Sequence, residues 1–375
     1  MKTLIVAGTC GLVVGVLVGL GSAFPRAQAG DAGTWSRKAA AAYLDQREAW
    51  WMQWPTAARD HGTFCVSCHT ALPYALARPA LGQALGETGP SPTEIKLVDN
   101  VAQRVRLWKE VEPFYPDQTR GLPKTSESRG TEAVLNALIL ASWDARGGTG
   151  ASVLSDDARR AFENLWALQM KTGDQAGAWV WLNFHNEPWE ADASPYFGAT
   201  LSAIAVTMAP GGYAATPDVQ DRMKRLGDYL QRGNEKQSLF NRVMLLWVSA
   251  SWPGLLTHDE QQRIVDATLR AEQDDGGWSL ASLGTWTRAD GTPLETKSDG
   301  YATGLVVYAL QQLGAPRSQP VSRGLDWLAT HQDASTGRWF AASLNKERDP
   351  ASDAGRFMSD AATAYAVLAL TKAHR

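Results

Sequence analysis

Thr257-His258-Asp259-Glu260-Gln261-Gln262-Arg263-Ile264-Val265-Asp266-Ala267-Thr268-Leu269-Arg270 is followed, after a connection, by Gly300-Tyr301-Ala302-Thr303-Gly304-Leu305-Val306-Val307-Tyr308-Ala309-Leu310. The first segment opens with a capping box, Thr257 to Glu260, and puts Ile264, Thr268 and Leu269 on one stripe. The second has no polar face, so a helix there must be covered on every side. It is too short and interrupted to cross a membrane. An amphipathic helix followed by an apolar one implies a pair of layers, the apolar member inside.

The same alternation recurs from about residue 91. Amphipathic 91–112 precedes apolar 130–143, 155–170 precedes 195–208, and 217–231 precedes 237–252. The opening stretch, 257–272 before 299–313, is the fourth pair, and 319–331 before 359–372 the fifth. Helices near 35–52 and 66–84 could supply a sixth. Strand signals are weak. The pattern predicts an all-α fold, an (α/α) toroid of about six helix pairs with a haem-binding helix near the N-terminus, or else an open α-solenoid of stacked pairs.

That N-terminal helix earns its description from Cys65-Val66-Ser67-Cys68-His69. C-x-x-C-H is the attachment motif of c-type haem: two thiols join the macrocycle and the adjacent imidazole binds the iron. A zinc site would want more ligands at short spacing, and the other histidines, 61, 185, 258, 331 and 374, form no such pair. One covalent haem c on Cys65, Cys68 and His69 is expected. Met52, His61, His185 and Met358 are candidates for the sixth ligand, and an open sixth position is the alternative.

Residues 1–29 read as a secretory signal, with Lys2, an apolar run from Leu4 to Leu20, and Ala27-Gln28-Ala29 as the cleavage site. An uncleaved N-terminal tether is the alternative. Cys10, the third and last cysteine, lies inside this segment, so the mature chain has no thiol outside the motif. That suits an oxidising, periplasmic or otherwise exported setting. Cleavage removes Lys2 and Arg26 and takes the formal charge from −3 to −5, with no basic stripe for nucleic acid. No second hydrophobic span follows. The organisation expected is a signal at 1–29, a haem-carrying helical segment at 30–90 and a toroid at 91–375.

The connection from Trp179 to Ser194 gathers Trp179, Trp181, Trp189, His185, Glu187, Glu190 and Asp192 ahead of an apolar helix. Long loops in compact domains often carry function. His185, Glu187, Glu190 and Asp192 are the candidate catalytic or polar contacts at a cavity rim, with Trp189 as an apolar wall. Asp299 and Asp360 begin inner helices, where N-capping is the simplest role.

Three connections share a further pattern: Gln273-Asp274-Asp275-Gly276-Gly277-Trp278, Gln332 through Gly337-Arg338-Trp339, and a looser Gln169 through Gly177-Ala178-Trp179. With Asp299-Gly300-Tyr301-Ala302-Thr303 and Asp360-Ala361-Ala362-Thr363, they resemble the repeats of the squalene–hopene cyclase and protein prenyltransferase superfamily over about residues 120–375. The resemblance implies the toroid, a helix-capping Gln, a Trp packed over it, and an apolar, isoprenoid-like ligand in the cavity. It does not extend to activity: the chain has no D-x-D-D acid and no free cysteine for a prenyltransferase zinc site. The reading is therefore an exported haem protein with a redox partner, doing electron transfer or haem-dependent redox chemistry. A cyclase-like enzyme with an auxiliary haem, a non-enzymatic haem sensor and a polysaccharide-acting toroid are the alternatives.

Overall fold

Side-chain caps start half of the α-helices. The computed structural model describes residues 35–117, 124–146, 153–314 and 318–373, so the expected signal at 1–29 lies outside the described residues. Ser36 accepts the Ala39 amide and opens α1 (Arg37–Gln53). After α2 (Ala71–Leu85), capping boxes Ser91/Glu94 and Thr257/Glu260 open α3 (Pro92–Arg106) and α9 (His258–Arg270). Between them lie α4 (Lys124–Ala145), α5 (Asp156–Leu168), α6 (Ser194–Met208), α7 (Pro217–Gly233) and α8 (Leu239–Ser249). The chain ends with α10 (Gly300–Gln312), α11 (Gln319–Thr330) and α12 (Phe357–Lys372). No strand is formed among the described residues, and none of their helices is long and apolar enough to cross a membrane.

The apolar helices close a circuit. In turn α2 packs on α4, α4 on α6, α6 on α8, α8 on α10, α10 on α12, and α12 back on α2. The amphipathic helices lie outside: α5 on α4, α7 on α6, α9 on α8, α11 on α10, and α1 against α12 and α2. The fold is thus all-α, an (α/α) toroid of six pairs, with α1 and α2 as the sixth. Contact between α12 and α2 distinguishes it from an open solenoid. Trp35–Arg375 form one compact unit.

The repeat tryptophans are helix-end caps. Fully buried Trp179, Trp278 and Trp339 donate their indole N–H to the carbonyls of Leu165, Thr268 and Leu328, in the last turns of α5, α9 and α11. Such carbonyls have no partner within their own helix. The inner helices answer in kind: Thr303 and Thr363 accept the backbone N–H of Trp278 and Trp339. Trp278→Phe keeps most of the apolar volume but leaves the Thr268 carbonyl with the Ala271 amide, at 3.1 Å, and without the indole, so a urea titration should show about 0.5–1.5 kcal/mol of lost stability.

The first and last pairs are stitched together. Gln332 accepts the Ser36 amide at 2.6 Å and donates to its carbonyl at 3.1 Å, and Trp35 meets Trp339 edge-on at 5.8 Å. Gly337, at φ +79°, lies so close that a Cβ there would stand 2.3 Å from the Ala39 carbonyl oxygen. Tyr301 stacks on Tyr365 at 5.1 Å and meets Phe240 at 5.8 Å, while Phe240 touches Phe197 at 6.0 Å. These rings come from four inner helices and fill the middle of the toroid. A cavity opens at the end where the connections enter the inner helices.

Cys65–His69 do not lie in the first turn of α2, as expected, but in the turn before it. The Ser67 hydroxyl accepts the amides of Thr70 and Ala71 at 3.2 and 3.0 Å, which holds the motif as a capping turn and delays the helix to Ala71. Asp299 caps α10 as expected, accepting from Tyr301 and Ala302. Asp360 does not cap: α12 begins at Phe357, and the carboxylate turns inward from the first helical turn.

Candidate functional site

Buried polar clamps fix the segment before Cys65. The Asn100 side chain of α3 accepts the Phe64 amide at 2.8 Å and donates to its carbonyl at 3.1 Å. One turn on, Arg104 donates to Thr63 Oγ1 at 2.6 Å, to Glu132 Oε1 of α4 at 2.6 Å and to the Glu112 carbonyl at 2.7 Å. From α1, the Trp51 indole donates to the Cys65 carbonyl at 2.6 Å. Three helices and the Ser67 turn thus present Cys65, Cys68 and His69 along one wall.

That wall borders a cavity of about 640 Å³. Trp51, Trp54, Tyr115, Phe184, Trp189, Phe357 and Met358 supply aromatic and apolar lining; Lys124, Glu127, Asn183, Glu190, Asn345 and Arg348 supply polar lining. Both thiols are free and buried. Burial pushes the Cys65 thiol up to about 12, and Cys68 is raised by burial and by the nearby Glu190 carboxylate. Burial lowers His69 to about 3, helped by the charges of Arg47 and Arg348, so its ring is neutral and keeps a lone pair for a metal. The ring stacks on Phe357 at 3.9 Å, with Trp51 edge-on at 4.9 Å and Trp189 at 5.7 Å. His69 Nδ1 is 2.8 Å from Thr70 Oγ1, which is 2.8 Å from Asp360 Oδ2. Among the described residues, no three His, Cys, Asp or Glu side chains converge on a point suited to a bare ion.

The 179–194 loop crosses the mouth and its candidates fall on different sides. Glu190 lines the haem-motif cavity, and His185 stands at its rim, largely exposed, 3.9 Å from Asp192 Oδ1. Asp192 faces outward and accepts from Asn183 Nδ2 at 2.7 Å. Glu187 borders a second cavity of about 520 Å³ with Trp286, Phe240 and Asn241, and burial raises its carboxyl above the ordinary range. Its backbone is gripped on both sides by Asn345, which accepts from the Glu187 amide at 2.7 Å and donates to its carbonyl at 2.8 Å. Buried Trp189 forms the wall expected of it and donates to Tyr301 Oη at 3.0 Å.

Of the four sixth-ligand candidates, Met358 and His185 border the cavity. Met52 packs against the core, and His61 is an exposed partner of Asp60 at 3.0 Å; neither lines the cavity. The sequence reading missed Arg348, Phe357 and Thr70. The Trp50-Trp51-Trp54 cluster, at one-turn spacing, was the available signal for the apolar wall.

No family model matches the chain, and no curated protein matches it. Among solved structures, a polysaccharide lyase is similar at 12% identity over 91% of this chain and 90% of its own, with a TM-score of 0.34.

Proposed function

We propose that this chain is an exported c-type haem protein that holds one haem c on Cys65 and Cys68, with His69 as an axial ligand, and exchanges electrons with a redox partner protein or with a small molecule at the haem. The observation that carries the reading is that Cys65, Cys68 and a neutral His69 share one wall of the 640 Å³ mouth cavity, a size ordinary for a cofactor site. In attachment each S–H adds across a vinyl double bond, sulfur to one carbon and hydrogen to the other, so no oxidant is consumed. The bound group supplies one-electron chemistry at its iron.

The chain's own residues supply the rest. Trp51, Trp54 and Phe357 offer flat apolar surface to a macrocycle. Arg348 also lines the cavity, where its guanidinium suits a carboxylate of the cofactor. Lys124 there already donates to Glu127 and the Asn183 carbonyl. Met358 and His185 border the cavity and are the remaining sixth-ligand candidates. In this reading the haem occupies the space that an isoprenoid-like ligand would need.

The test is expression with export and haem-ligation machinery, followed by acid–acetone extraction. Haem should stay with the chain, and the double variant Cys65→Ala, Cys68→Ala should retain none covalently. Haem that extracts freely from the unaltered chain, or a chain that takes up none, overturns the proposal.

A further inference from the structure

His69 begins a buried hydrogen-bonded line that leaves the cavity and ends between two other helices. His69 Nδ1 lies 2.8 Å from Thr70 Oγ1, and Thr70 Oγ1 lies 2.8 Å from Asp360 Oδ2 on α12. The other oxygen, Asp360 Oδ1, accepts from Tyr43 Oη at 2.7 Å and Arg47 Nε at 2.8 Å, both on α1. Arg47 is held in turn by Asp353, whose Oδ1 and carbonyl oxygen accept from its other nitrogens at 2.9 and 3.0 Å. Thr70, Asp360, Arg47 and Tyr43 are all buried.

Donor counting fixes the protons. A carboxylate only accepts, and a threonine hydroxyl has one hydrogen. With a guanidinium and a phenol already aimed at Asp360, the Thr70 hydrogen points at the carboxylate. The Thr70 oxygen must then accept, so the hydrogen it receives sits on His69 Nδ1. The imidazole lone pair is left on Nε2. A hydrogen bond from the far nitrogen toward a carboxylate both orients a ligating imidazole and raises its basicity.

We propose that Thr70 and Asp360 are positioning residues that hold His69 in the Nδ1–H form and strengthen Nε2 as a donor, biasing the haem iron toward its oxidised state. The inference rests on the haem reading above and goes beyond it, because it assigns the direction in which the protein tunes the group. Tyr43 and Arg47 act one step further out, by holding the carboxylate in place.

The experiment has one arm without haem and one with it. In the Cys65→Ala, Cys68→Ala chain labelled with nitrogen-15 histidine, long-range proton–nitrogen correlation should find His69 as the Nδ1–H tautomer. Adding Thr70→Val should convert it to a mixture or to Nε2–H. In the haem-loaded protein, Thr70→Val should raise the ratio of reduced to oxidised haem at a fixed applied potential about tenfold, or about 59 mV for a one-electron couple. Thr70→Ser should restore the native value, since it restores the hydroxyl. Asp360→Asn should move the potential the same way; should it fail to fold because Arg47 loses its partner, Thr70→Val still decides, as it leaves the Arg47–Asp360 pair intact. An unchanged tautomer, or an equal potential in Thr70→Val and the unaltered chain, overturns the relay. A chain that takes up no haem sinks the haem reading instead, and the first arm still judges the tautomer.

Discussion

Glu132→Ala should cost about 3–5 kcal/mol in a guanidinium titration followed by tryptophan fluorescence and by the helical signal, a large part of what a folded domain typically has. Glu132 and Arg104 are both fully buried and meet at 2.6 Å, so removing the carboxylate leaves a guanidinium in the core with Asp60, 3.9 Å away and partly exposed, as its counter-charge. Arg104 also packs over Phe114 at 4.7 Å and holds Thr63, so it cannot swing out to water without loosening the segment that leads to Cys65. Glu132→Gln keeps an acceptor for the Arg104 Nε hydrogen and should lose clearly less. If alanine and glutamine lose the same small amount, the pair is not what anchors this corner of the toroid.

Glu48→Gln should gain on the unaltered chain as pH rises. Glu48 is fully buried on α1, neither of its oxygens has a partner, and burial, with the Asp360 charge second, pushes its carboxyl up from 4.5 to about 8. Between those two values the folded chain keeps a proton that the unfolded chain has released. Stability tied to this group is therefore fully present below about pH 4.5 and is lost as pH climbs to about 8, above which the loss is constant. Glutamine does not titrate. The difference in unfolding free energy between variant and parent should widen, from pH 5 to pH 8, by an amount on the order of a few kcal/mol. Urea titrations at the two pH values measure it; parallel curves would show that Glu48 has the same protonation in both states.

The two layers were legible because helical periodicity is local: Ile264 and Thr268, on the stripe of α9, are buried. The C-x-x-C-H pattern too is local, five consecutive residues. Asp360 shows where this stops. Its position just inside an apolar segment suggests a cap, yet its partners Tyr43, Arg47 and Thr70 lie near the other end of the chain. Only closure of the circuit brings them together. Glu187 and Glu190 divide in the same way: their spacing is compatible with one acidic rim, but the grip of Asn345 on the Glu187 backbone sends them to different cavities.

The placement of the two sulfurs dictates an order of assembly. Cys65 and Cys68 are enclosed by a wall that includes Phe357 and Met358, at the opposite end of the sequence. In the finished toroid the thiols are buried and hold their protons, so neither offers the exposed thiolate that reactivity calls for. A chain that emerges N-terminus first shows these sulfurs long before α12 exists to cover them. On the haem proposal, the bond to the prosthetic group therefore belongs to the interval before the last helix docks, when the growing chain is still an open arc. Once α12 has settled against α2, the same helix that completes the circle also shuts the door behind the two sulfurs.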